Sequence, residues 1–229
     1  MVDIRMHAYQ VPEAVLQRVE KRRGETALAF HKRTTALVII DMQNYFVDAA
    51  FAPQARYARG IIPSINRAAA ALREQGGLVV WVQTTAEGAL RHWGLHHAEG
   101  LTPAARERRL AGLDEQSPGY ALYAGLDRQP EDLSVTKIKF SAFAENSSDL
   151  DVQLRERSIE TVAIAGTLTN VCCDSTARDA MMKNYRAIML SDANATLTDE
   201  EHAAALNTFL SFFGPVMTVD DWIKAEAER

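Results

Sequence analysis

Two adjacent residues, Cys172 and Cys173, are the only cysteines among 229 residues. Neighbouring cysteines rarely meet disulfide geometry, and no third is present to bridge with either of them. Sulfur in this chain is therefore either a reagent or packing. Cys172 follows the apolar run TVAIA (161–165) by Gly166 and a short loop, TLTNV, and stands where a helical pattern begins. A thiol at a helix N-terminus feels the positive end of the helix dipole, which stabilises the thiolate and lowers its pKa. Cys173, one residue further round the helix, reads as a small buried hydrophobe. Asp41 directly follows the run ALVII (36–40), and Lys137 lies near the end of the run 133–138. Taken singly, Asp41 has an ordinary reading as a turn or cap residue, and Lys137, like Lys139, as a solvated charge. Together the three place a thiol, a carboxylate and an ammonium at the ends of three different strands. That combination suits nucleophilic acyl transfer with an acid–base partner.

The elements that must position these groups follow from hydrophobic pattern. The short continuous apolar run at 36–40 predicts a strand covered on both faces, and 78–82, 161–165 and 187–190, a strand-like segment at 133–138 and a last short one at 216–219 continue the series. Helical spacing between them, at 63–75, 148–157, 172–184 and 198–212, with a terminal helix from Asp220, alternates with the strands. Alternation of this kind predicts an α/β three-layer sandwich: a mostly parallel central sheet of about six strands, with helices on both faces. Right-handed crossovers then gather the strand C-termini along one rim, where ligands bind in open parallel sheets. The chain reads as a single domain over 1–229, with an N-terminal helical arm at about 1–34 (the helix itself at 13–23). A long excursion at about 84–131, rich in glycine and proline, interrupts the alternation and reads as a lid or a subunit contact. Asn44, Phe46, Gln83 and Trp93, near strand ends or in the excursion, are the expected pocket wall.

Composition narrows the partners. A net charge of −5 disfavours nucleic acid, whose phosphates need a basic face. The basic clusters Lys21, Arg22, Arg23 and Arg106, Arg108, Arg109 read as solvated faces of polar helices. No run approaches the roughly 20 apolar residues that span a bilayer, and the first residues lack the apolar core of a signal peptide. The expectation is a cytoplasmic protein acting on a small molecule, with no membrane partner. His92, His96 and His97 form a cluster, and the first two have helical metal spacing. Gly94 lies between them and no carboxylate completes a set, so no metal or other cofactor is expected.

Three strings, DMQNYF (41–46), KIKFSAF (137–143) and GTLTNVCCDSTARDA (166–180), resemble in content, order and spacing the signatures of the isochorismatase-like cysteine hydrolases. FFG (212–214) resembles a recurrent late segment, and the likeness runs over roughly 35–219. The resemblance implies that Asp41 is the catalytic aspartate, that Lys137, four residues before Ser141, is the catalytic lysine, and that Cys172 is the nucleophile. It also implies a cis peptide at Thr167–Leu168, with the Leu168 and Cys172 N–H groups forming an oxyanion hole. The amidohydrolase branch, similar to ureidoacrylate amidohydrolase, implies hydrolysis of a C–N bond in a small amide or ureide through a thioester. It implies a homodimer or homotetramer as well. A lactam hydrolase of the same mechanism, a vinyl-ether hydrolase as in isochorismatase proper, and a non-enzymatic partner protein on the same fold are the competing readings. The thiol speaks against the second. The intact triad positions speak against the third.

Overall fold

The computed structural model describes residues 4–24 and 30–225. Six strands form one sheet: β1 (Thr35–Ile40), β2 (Leu78–Thr84), β3 (Leu133–Lys137), β4 (Thr161–Thr167), β5 (Arg186–Ala195) and β6 (Val216–Met217). Their order is β3-β2-β1-β4-β5-β6, and every pairing is parallel. The chain thus winds outward from β1 in one direction and from β4 in the other. The crevice between the ends of β1 and β4 is the switch point where open parallel sheets bind ligands.

The central strands β1, β2 and β4 are mostly apolar and buried because both faces are covered, whereas the edge strand β3, LSVTK, alternates buried and exposed positions toward its end. Leu37, Ile39, Val79, Trp81, Ala163 and Ala165 face one core, while Val38, Ile40, Val80, Val82, Val162 and Ile164 face the other. Of the helices, α1 is Glu13–Arg23, α2 Asn44–Val47, α3 Arg56–Gly60 and α4 Ile62–Glu74. The second half carries α8 (Leu150–Glu156), α9 (Asp174–Met182), α10 (Asp199–Phe212) and α11 (Val219–Lys224). Ile65, Ala68, Ala69 and Leu72 of α4, with Trp222 of α11, fill the first core. Leu150 and Leu154 of α8, Ala177 and Ala180 of α9, and Leu206 and Phe209 of α10 fill the second. The helix α10 starts where its cap predicts, the Thr198 hydroxyl accepting from the Glu201 N–H at 3.2 Å.

Three expectations change. The last strand stops at Met217, because Thr218 caps α11 by accepting from the Asp221 N–H at 3.1 Å, and Val219 is already helical. The strand expected at 187–190 runs on through Ala195, with a register irregularity opposite Ile164 and Gly166. The excursion is not irregular: it holds α5 (Ala89–His92), α6 (Gly94–Glu99) and α7 (Pro103–Gly112). It is stitched over the ends of β1 and β2 by backbone bonds from Ala86 N to Leu113 O (2.9 Å), Asn44 N to Ala121 O (2.8 Å) and Tyr123 N to Met42 O (2.9 Å). The N-terminal arm also docks. Arg22 donates to Ser211 O at 3.0 Å and Arg23 donates to Leu210 O at the end of α10. His7 stacks between Tyr57 (3.9 Å) and His202 (4.2 Å).

Candidate active site

Asp41 is the first residue past β1, Lys137 the last of β3, and Cys172 lies in the turn after β4. The sheet order leaves β2 between Asp41 and Lys137, and its final residue, Thr84, pairs in register with Lys137. Lys137 Nζ lies 2.9 Å from Asp41 Oδ2, with the two side chains 0% and 1% exposed. Nζ also donates to Thr84 Oγ1 (2.6 Å) and to Lys139 O (3.1 Å), and the Thr84 hydroxyl donates to Asp41 Oδ1 at 2.8 Å. The ammonium and the carboxylate are therefore joined twice, directly and through one hydroxyl. Burial opposes the charge on Lys137, but the neighbouring Asp41 and Cys172 outweigh it and hold its pKa above the usual lysine value. The ammonium stays charged at any physiological pH. Asp41 itself adopts a positive φ of 54°, a region that aspartate enters more readily than most residues.

Cys172 departs from expectation in two ways. It does not open an α-helix: residues Thr169–Cys173 form a π-helical turn, and α9 begins only at Asp174. Nor is its pKa lowered. Burial pushes the thiol up to about 12, with the Asp41 carboxylate and its hydrogen bond adding to the rise and Lys137 opposing it. The resting group is a neutral thiol under the influence of the Asp41 carboxylate, so it needs a base rather than a dipole. Cys173 turns away, its thiol directed at Ala165 O 3.9 Å distant and fully buried. The turn is held from several sides. The Leu168 carbonyl accepts from Val171 N (3.1 Å) and Cys173 N (3.2 Å), and Thr176 Oγ1 donates to Cys172 O (2.7 Å) while accepting from Ala142 N (3.2 Å). The Thr167–Leu168 peptide is cis. The Leu168 N–H donates to no backbone carbonyl among the described residues.

Gly166 explains how β4 reaches this close to Asp41. Its φ is 117°, and a Cβ there would overlap the carbonyl oxygen of Ile40. Glycine alone fits.

The expected wall residues divide. Asn44 donates through Nδ2 to Pro118 O at 2.8 Å, and Gln83 through Nε2 to Tyr120 O at 2.9 Å, so both amides hold the excursion down. Phe46 packs against the first core. Trp93 stands edge-on to Phe140 (4.6 Å) and stacks on His96 (3.9 Å), beside the string that carries Lys137. The three histidines do not converge. His96 is stacked on Trp93, and His97 is buried with Nδ1 3.1 Å from Trp93 O. His92 faces a separate cavity of about 510 Å³ lined by Glu87, Glu115 and Asp149. No group of three metal-binding side chains gathers among the described residues. None of their helices is long and apolar enough to cross a membrane.

One participant escaped the sequence reading. Thr84 could have been found only from the strand order, which sets β2 between the two charges. Arg109 was grouped with solvated helix charges. It is half-buried near the end of α7.

Comparison with known proteins agrees with this geometry. The isochorismatase domain family matches residues 35–221. The ureidoacrylate amidohydrolase RutB of Variovorax paradoxus is 35% identical over 96% of this chain and 92% of its own length. A cysteine hydrolase from Pseudomonas syringae pv. phaseolicola is similar in structure, with a TM-score of 0.74 and 26% identity over 86% of this chain and 94% of that one. N-carbamoylsarcosine amidase from Thermoplasma acidophilum has a TM-score of 0.62 and 26% identity over 81% of this chain and 96% of that one.

Proposed function

The chain belongs to the isochorismatase domain family, and from that membership we propose that it is a cysteine amidohydrolase of small amides or ureides. The observation that carries the reading is the buried Asp41–Lys137 pair at 2.9 Å with the Cys172 thiol in reach of the same carboxylate. When a substrate carbonyl enters, Asp41 takes the thiol proton and sulfur bonds to the carbonyl carbon. The oxygen becomes an anion held by the Leu168 and Cys172 N–H groups, and donors fixed in advance for such an oxyanion are commonly the largest electrostatic contribution. Asp41 returns its proton to the departing nitrogen as the C–N bond breaks, leaving a thioester, or a thiocarbamate from a ureide. Water then gives a proton to Asp41 and attacks the same carbon. The C–S bond breaks, and the proton ends on sulfur. Lys137 keeps Asp41 anionic between proton transfers and steadies the sulfur anion as it forms.

The ureide preference draws on the similarity to ureidoacrylate amidohydrolase and N-carbamoylsarcosine amidase. The excursion and the wall residue Trp93 enclose the pocket, and self-association into a dimer or tetramer is part of the proposal. The test is ammonia or amine release from ureides, carbamoyl compounds, linear amides and lactams, with a vinyl ether as the outlier. Cys172→Ala should abolish turnover, and quenched wild type should carry a mass adduct on Cys172. Turnover by Cys172→Ala, or an adduct on Cys173, would remove the mechanism. Turnover restricted to lactams or to the vinyl ether would replace the substrate class.

A further inference from the structure

Thr169 opens the π-helical turn that carries Cys172 and is fully buried. Its Oγ1 lies 2.9 Å from Nδ1 of His202, in the first turn of α10. His202 is fully buried too, and the N-terminal arm holds its ring from the other side. His7 stacks on that ring at 4.2 Å, and Tyr9 stands edge-on to it at 5.8 Å. Both arm residues are fixed in turn. His7 Nε2 accepts from the Thr196 N–H at 3.1 Å, so its Nδ1 carries the ring proton, 2.6 Å from Asp199 Oδ1. Tyr9 donates to Asn207 Oδ1 at 3.0 Å. Thr196 also donates through Oγ1 to Asn170 Oδ1 at 2.6 Å, so the residue that holds His7 holds the second residue of the turn as well.

A glycine seats the arm. At Gly60, the last residue of α3, an added Cβ would meet arm backbone, the Arg5 carbonyl oxygen first. Arg5 N donates to Arg56 O at 3.4 Å on the same helix. The family match begins at residue 35, so all of these arm residues lie before the matched domain. A continuous set of contacts therefore runs from residue 5, through two stacked imidazoles, to a hydroxyl three residues before the nucleophile. A buried hydroxyl and a buried imidazole are each costly to leave unpaired, so their bond favours a single arrangement of the turn.

We propose that the N-terminal arm is a positioning element for the reaction: His7 and Tyr9 clamp His202, and His202, through Thr169, holds the turn on which the Leu168 and Cys172 N–H donors depend. Donors to a developing oxyanion help most when they are held in place beforehand, and a misplacement of about 1 Å can cost roughly 100-fold in rate. The effect on turnover rests on the amidohydrolase reading. The effect on the turn itself does not.

The test reads kcat, KM and amide hydrogen exchange in four variants of the full chain. His202→Leu removes the bond to Thr169, whereas His202→Asn keeps a polar group near the place of Nδ1. Gly60→Ala lifts the arm with one methyl group, at a helical position where alanine is otherwise favoured. Arg18→Gln, on the exposed face of α1, is the control. His202→Leu and Gly60→Ala should each lower kcat roughly 10- to 100-fold with KM changed by less than about threefold, because oxyanion donors act in the transition state. In both, exchange in the peptide 166–173 should quicken roughly tenfold or more while that of β1 stays as in wild type. His202→Asn should recover most of both, and Arg18→Gln should change neither.

Gly60→Ala carries the test if His202→Leu does not fold. Wild-type kcat in Gly60→Ala, or an equal fall in Arg18→Gln, overturns the proposal. Faster exchange throughout the sheet overturns it too, since that marks a plain loss of stability. If wild type hydrolyses no amide or ureide, the amidohydrolase reading falls and exchange alone decides the positioning. Quickening confined to 166–173 in Gly60→Ala then sustains the clamp, and unchanged exchange there removes it.

Discussion

The Lys137 ammonium and the Asp41 carboxylate are both out of water, and each is tolerated because the other is 2.9 Å away. Lys137→Met should therefore leave a buried carboxylate without its cation. The expected cost is about 3–5 kcal/mol of stability, measured by urea unfolding, together with a loss of kcat/KM of at least roughly 100-fold. Thr84→Val removes only the hydroxyl that joins the two charges. It should cost about 1–3 kcal/mol and lower kcat, while Thr84→Ser should restore both. Cys172 makes a third prediction, about pH. Its pKa is raised to about 12, so the thiolate is scarce near neutrality and should increase about tenfold per pH unit below that value. The logarithm of the iodoacetamide alkylation rate of the free enzyme should climb with a slope near one from about pH 7 to about pH 9.5. A plateau inside that window would mean that the thiol ionises far lower than its burial implies.

Among the elements, β4 and the turn that follows it do the positioning. Gly166 lets β4 pass against the Ile40 carbonyl, one residue before Asp41, and the π-helical turn then brings Cys172 back over that aspartate. A π-turn inside or before an α-helix commonly marks a functional position, because it redirects one side chain while leaving the helix beyond it intact. Gly166→Ala adds a methyl group where backbone already stands and at a φ that favours glycine. It should destabilise the protein by about 3 kcal/mol or more. Urea midpoints for the variant beside wild type would show it, and a shift of less than about 1 kcal/mol would mean that β1 and β4 can separate there.

Across the whole molecule, the N-terminal arm closes over the far side of the turn that carries Cys172. His7 stacks on His202, and His202 Nδ1 lies 2.9 Å from Thr169 Oγ1, next to Leu168. Burial first, and the charge of His7 second, hold the His202 pKa down to about 3. The unfolded chain would bind a proton there below about pH 6.5, whereas the folded chain resists until about pH 3. The contribution is therefore intact above pH 6.5 and lost as pH falls, by up to about 1.4 kcal/mol per pH unit between those limits. The urea midpoint of wild type should decline on acidification through that range, and His202→Gln should decline less steeply. Parallel slopes would place the acid sensitivity elsewhere.

The amino-acid sequence by itself determined which chemistry is present and on which rim of the fold it lies. Uninterrupted apolar runs require burial on both faces, burial on both faces requires parallel strands with helical crossovers, and crossovers send every strand end the same way. Asp41 and Cys172 follow such runs and Lys137 closes a strand-like segment, so their shared rim was legible from local pattern. Thr84 was not, because its place between two charges depends on β2 lying between β1 and β3, an order that no local pattern records. The direction of the Cys172 shift was also decided only in three dimensions. A helix dipole can be inferred from a few neighbouring residues, but desolvation is imposed by everything packed around the sulfur, and here desolvation is the larger effect.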